Sequence, residues 1–146
     1  TRVTGPFGGW ELTGTGRAAD TERITAELDA SGARPVVARV YDGFLPLNRE
    51  LLDLCTTWQL RPADGSHDSR VLNVLADFHR RADEAVCRDL SAVLHRFSRY
   101  RVRLSTALVR AKAGEHQYVV DDLAAYHTVW FQLHEDMLAT LGLERT

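Results

Sequence analysis

Apolar residues recur at three- and four-residue steps through nearly all of the chain after Thr13, and that spacing excludes most sheet architectures. A helix turns once in 3.6 residues, so side chains spaced this way share one face, whereas a half-buried strand needs strict alternation. Over about 14–31, Ala18, Ile24 and Leu28 make one modest stripe among charges before Gly32 stops the pattern. A second helix begins at Arg34-Pro35, where proline suits a first turn, and runs toward Leu60 with Leu47, Leu51, Leu54, Cys55 and Trp58 on one face. Gly43 and Pro46 inside it predict a kink or a division. Arg61 to Asp68 is polar, rich in turn formers, and reads as the one clear loop. Next come a short helix from Ser69 to about His79 and the longest periodic run, Val86, Leu90, Val93, Phe97, Tyr100, Leu104, Ala107 and Ala111, closed by Gly114. That run predicts a helix of about thirty residues and roughly 45 Å, more than one small domain needs. Surplus helix surface predicts a homodimer. A last helix over about 117–141 carries Val119, Leu123, Tyr126, Trp130, Leu133, Met137 and Leu141 and is expected to return antiparallel to its predecessor. The fold class is therefore all-α, an antiparallel helical bundle with one long helix, preceded by a short N-terminal β-hairpin.

The hairpin is read from Arg2-Val3 and Trp10-Glu11-Leu12, which flank the turn-forming Gly5-Pro6-Phe7-Gly8-Gly9. Thr13 stands at an N-cap position before Gly16-Arg17-Ala18-Ala19-Asp20. A hairpin that ends in Leu12-Thr13 and Gly16-Arg17 and feeds straight into a helix resembles the wing of winged-helix transcription factors, the MarR-type regulators in particular. The resemblance covers residues 2–18. It implies that 1–16 is the wing-like remnant of a DNA-binding domain whose recognition helix precedes residue 1. It also implies DNA contact through Arg2 and Arg17, with Trp10 a third wing residue. Residues 17–146 are then the helical dimerisation and effector-binding domain of a transcriptional regulator.

Composition narrows the alternatives. With 146 residues, 45% of them hydrophobic, and a net charge of −2, the chain can bury one substantial core and carries no overall field for nucleic acid. Neither an apolar run of membrane-spanning length nor a signal-type N-terminus is evident, so a cytoplasmic protein without membrane partners is expected. Cys55 and Cys87 lie in apolar helical surroundings and read as buried, reduced thiols. Basic charge concentrates in Arg80, Arg81, Arg88, Arg96, Arg99, Arg101, Arg103, Arg110 and Lys112, while Glu115, Asp121, Asp122, Glu135, Asp136 and Glu144 follow Gly114. Pairing between these two sets is the simplest account. The alternative is an arginine stripe of Arg96, Arg99, Arg103 and Arg110 that reaches DNA phosphates or an anionic partner.

Motifs for catalysis are weak. His127 and His134 stand seven apart, two turns and roughly 10 Å, too far for one metal ion on a single helix. His134-Glu135 lacks the second histidine of a zinc-protease motif, and no Glu-x-x-His occurs for a di-iron bundle. No nucleophile motif or phosphate-cradling loop is present, so no catalytic residue, metal or cofactor is assigned. The residues best suited to a small-molecule effector are Tyr41, Phe44, Trp58, His79, Tyr126, His127, Trp130 and His134, with Phe78 and Phe131 in the same layer, types that combine apolar walls with a few polar groups. The bland account makes them core residues. Two other functions stay open: a helical-bundle enzyme or metal-binding protein using His79, His127, His134 and Glu135, and an interaction module that regulates a larger enzyme through the arginine stripe.

Overall fold

The computed structural model describes residues 32–143, Arg23, and the backbone of 2–4 and 10–12. Strands β1 (Arg2–Thr4) and β2 (Trp10–Leu12) are antiparallel, with Arg2 opposite Leu12 and Thr4 opposite Trp10. The turn between them, Arg17 and the helix expected over 14–31 lie outside the described residues.

Every other element among the described residues is a helix or a helical turn. Helix α1 (Arg34–Gln59) carries Pro35 in its first turn and is not divided at Gly43 or Pro46. Pro46 is exposed, so its missing N–H leaves a carbonyl that water can reach, and buried residues continue on both sides of it, Val37, Val40 and Phe44 before, Leu51, Leu54 and Trp58 after. Packing of that stripe holds one helix together where local propensity favours two.

The thirty-residue helix does not form. Helix α2 (Asp68–Ala82) runs past His79 into a π turn (Asp83–Cys87) and α3 (Arg88–Val93), and the chain then breaks at Leu94, whose φ of −135° and ψ of 96° are extended. One 3₁₀ turn (His95–Phe97) leads into α4 (Ser98–Lys112). The break leaves both Leu94 and Phe97 buried, so the apolar pattern runs through a corner. With 15 residues α4 is about 22 Å long. The dimer expectation rested on one long helix, which the corner at Leu94 divides.

The last expected helix is likewise divided. Helix α5 (Gln117–Val120) is one turn, Asp121 to Ala125 bends away, and α6 (Tyr126–Leu141) follows from an extended Ala125. Asp122 organises the bend: its Oδ1 accepts from the Ala124 N–H at 2.8 Å and its carbonyl from the Thr128 hydroxyl at 3.0 Å. Leu123, expected on the buried stripe, is 86% exposed as a result. As expected, α4 and α6 are antiparallel: Arg99 at the start of α4 meets Asp136 late in α6, while His79 joins Ser105, farther along α4, to Tyr126 at the start of α6.

Helices α1, α2, α4 and α6 enclose one apolar core that includes Phe44, Trp58, Phe78, Leu104, Tyr126 and Trp130. Both cysteines are buried and unbridged, and burial pushes the Cys55 thiol up to about 11 and that of Cys87 up to about 12. Among the described residues no helix is long and apolar enough to cross a membrane.

Candidate ligand site

Most of the aromatic residues singled out in the sequence do meet. Phe44 stacks on Trp130 with ring centroids 4.6 Å apart and lies 4.9 Å from His134, which is 5.9 Å from Tyr41. Phe78 touches the edges of Trp130 at 5.3 Å and Tyr126 at 6.3 Å, and the Trp130 indole N–H donates to Asn48 Oδ1 at 3.0 Å. At these distances the rings fill the space between the helices themselves. Phe44, Phe78, Tyr126 and Trp130 are fully buried, which makes this layer core rather than cleft. Trp58 belongs to a different group, with the Arg61 guanidinium 3.5 Å above its ring and the His116 edge at 5.2 Å. Phe131 is exposed, and His127 is half-buried, where burial lowers its pKa.

His79 supplies the polar link through this layer. Its Nδ1 is 2.9 Å from the Tyr126 hydroxyl and its Nε2 3.2 Å from the Ser105 hydroxyl, so one imidazole ties α2 to α4 and α6. Burial lowers the His79 pKa, Asp83 opposes that and Arg101 reinforces it. The four residues of the metal or enzyme alternative are not gathered: His79 faces Tyr126 and Ser105, whereas His134 faces Tyr41 and Phe44. No group of three or more His, Cys, Asp and Glu side chains able to hold a metal ion occurs among the described residues.

The basic segment is largely neutralised by acidic neighbours. Arg80 pairs with Asp77 and Glu84, Arg81 with Asp77 and Glu50, and Arg88 with Asp89. Arg96 and Arg99 both reach Asp136, at 2.7 and 3.0 Å, and Arg101 grips Asp83 through two bonds of 2.7 and 2.8 Å. Half of the proposed arginine stripe is thus occupied. Arg103 has no acidic partner among the described residues, and Arg110 has a neutral one, the Tyr118 hydroxyl, which accepts from its Nη1 at 2.7 Å.

These two arginines flank a cavity of about 220 Å³ lined also by Thr106, Ala107, Tyr118 and Ala124. Helical geometry explains the lining, since positions 103, 106, 107 and 110 follow one another along a single face of α4. Gly114, with φ at +104°, reverses the chain and lays Tyr118 beside Arg110, whose guanidinium is 5.0 Å from the phenol ring. The Asp122 turn then brings Ala124 to the opposite wall. Thr106 returns its hydroxyl proton to the Val102 carbonyl at 2.9 Å, which leaves the oxygen as a neutral acceptor. Two other cavities, of about 310 and 270 Å³, mix charges: Asp68 with Lys112 and His116 in one, Glu50 and Asp53 with Arg70 in the other. Only the α4 cavity, of these three, joins two cations without a carboxylate.

The sequence pointed to Arg103 and Arg110 through their shared stripe, but not to Tyr118, Thr106 or Ala124, which join them only once the chain turns at Gly114. Of the wing residues, Arg17 is outside the described residues and Arg2 is described in backbone alone. Comparison of the chain with protein-family models, with curated proteins and with solved structures found no match.

Proposed function

We propose that residues 17–146 are the effector-sensing helical domain of a winged-helix, DNA-binding transcriptional regulator that acts as a homodimer, and that the effector occupies the cavity between α4 and α5. One observation carries the choice of site: six arginines between Arg80 and Arg101 are spent on carboxylates, whereas Arg103 and Arg110 face a cavity with none among the described residues that line it. An unpaired guanidinium beside an open, partly apolar hollow is the arrangement expected of a small-molecule site. The wing-like segment at 2–18 supplies the link to DNA. Exposed Val102 and Val109, seven residues apart on α4, give a second protomer an apolar strip to cover.

An effector acts here only through unequal affinity for two arrangements of the dimer, and a hundredfold preference corresponds to about 2.7 kcal/mol. The cavity suits that role because its lining comes from both α4 and the segment from Tyr118 to Ala124, so a ligand there bears on the placement of one against the other. A fragment panel that includes neutral and charged compounds, followed by amide shifts of the isotopically labelled chain, tests the site. Hits are expected to move Ala107, Tyr118 and Ala124; hits confined to other surfaces overturn it. Sedimentation at tens of micromolar is expected to give a dimer, and a monomer there removes the dimeric part of the reading.

A further inference from the structure

We infer that the molecule held between α4 and α5 is a small organic dianion, one negative charge facing Arg103 and the other Arg110. The inference deepens the ligand-sensing reading and rests on it. Arg103 and Arg110 are two helical turns apart, so their backbones stand about 10 Å from each other along the α4 axis. Their side chains flank one hollow whose lining, among the described residues, contains no carboxylate. Two like charges in such a cleft repel, and the ligand that removes the repulsion best brings two opposite charges. A neutral molecule leaves both guanidiniums uncompensated, and a monoanion leaves one.

Donor supply leads to the same class. A guanidinium carries five N–H donors and no acceptor. Arg110 uses one of its donors on Tyr118, which fixes its position, and Arg103 uses none on any described residue. The remaining donors call for an acceptor-rich partner, as carboxylate and phosphate oxygens are, and both groups meet arginine in a two-bond fork. Between the cations the walls are the methyl groups of Ala107 and Ala124 and the ring of Tyr118, so the part of the ligand that joins its charges is short and apolar. A volume of about 220 Å³ equals that of about seven waters in the liquid, enough for a short dicarboxylate or a small phosphate monoester. Asp121 and Asp122 lie close in sequence but do not line the hollow, and the Asp122 carboxylate is engaged by the Ala124 N–H.

Calorimetric titration of the full chain at low salt with succinate, glutarate, adipate, glycerol phosphate and inorganic phosphate, against butyrate as the monoanion, tests this. At least one dianion is expected to bind at least tenfold more tightly than butyrate. Arg103→Gln and Arg110→Gln are each expected to weaken it tenfold or more, and Arg103→Lys less. A dicarboxylate as the tightest ligand, or a phosphate, identifies which source of the dianion the site prefers. Ala124→Leu keeps both charges and fills the hollow, so it must also abolish binding, which guards against a glutamine variant that fails to fold. Equal affinity for butyrate, or dianion binding unchanged in Arg103→Gln, overturns the inference. Neutral fragments that shift Ala107, Tyr118 and Ala124 while no dianion binds would leave the sensing site standing and remove only the dianion; no shift from either class removes both.

Discussion

Asp136 is a single carboxylate on which Arg96, Arg99, Tyr100 and, at 3.4 Å, Thr140 converge. Its Oδ1 accepts from Arg96 at 2.7 Å, its Oδ2 from Arg99 at 3.0 Å and from the Tyr100 hydroxyl at 2.7 Å, and Arg96 reaches on to the buried Thr140 hydroxyl at 2.6 Å. Burial pushes this carboxyl up, but the Tyr100 and Arg96 bonds outweigh it and hold the pKa below its usual 3.8. A depressed acid contributes stability that is present in full above 3.8, neutral pH included, and is lost as pH falls through the folded value, so protonation of Asp136 contributes to acid unfolding. Asp136→Ala leaves two guanidiniums and a phenol without their acceptor, and a loss of about 2 kcal/mol is expected by urea titration at neutral pH. His79 works in another window. Its folded-state pKa is lowered by burial, so the unfolded chain takes the proton first, and stability, whole above 6.5, declines below that value until the folded group also titrates. Melting temperature is therefore expected to drop between about pH 7 and pH 5.5, and His79→Gln, which still bonds both hydroxyls but does not titrate, is expected to flatten that drop. An unaltered drop assigns it instead to His127, where burial acts in the same direction.

At the scale of elements, α1 contains two residues that disfavour helix and yet is unbroken. Gly43 lies in its exposed middle, and a Cβ built there meets nothing within 4 Å. Gly43→Ala is accordingly expected to raise stability by about 0.5–1 kcal/mol in thermal or urea unfolding, through the unfolded chain's lost freedom and better helix propensity. Pro35→Ala, in the first turn, is expected to change little, because that N–H has no helical partner in any case. Local pattern was enough to place α1, the start of α2 near Ser69 and the end of α4 at Gly114, since each has a stripe bounded by proline, loop residues or glycine. It failed at Leu94, at the π turn of Asp83–Cys87 and at the bend of Asp121 to Ala125. None of those three contains glycine or proline, and in each the apolar period continues while the backbone changes direction. Tertiary packing decides such places: the π turn keeps Val86, Cys87 and Leu90 buried and presents Asp83 to Arg101. The ring layer was legible for the same reason that it is closed, because large apolar residues in register on neighbouring helices fill the core. The cavity was half legible, its cations lying on one helix and its other wall depending on a glycine turn.

For the molecule as a whole, the question is whether the helices unfold as one body. Trp58 and Trp130 are each 1% exposed, lie on different helices and have different neighbours, Arg61 and His116 for the first, Phe44 and Phe78 for the second. Both belong to one continuous apolar cluster that includes residues of α1, α2, α4 and α6, and His79 adds a polar tie between α2, α4 and α6. Removing any one of these helices exposes the faces of the others, which makes partial unfolding costly and favours an all-or-none transition. Two variants with Trp10→Phe, one also carrying Trp58→Phe and the other Trp130→Phe, then report the two surroundings separately. Their urea midpoints by fluorescence are expected to coincide with those from far-UV circular dichroism of the same variant, once corrected for the stability each substitution removes. A ligand at the α4 cavity that binds only the folded chain has to move both reporters equally, by about 2.7 kcal/mol at a hundred times its Kd. Midpoints that separate, or a ligand that protects one tryptophan alone, mean that the α4–α5 side opens independently of the rest. In that case the cavity senses through local opening, and the effector's influence on a second protomer travels by ordering that side rather than by shifting a rigid body.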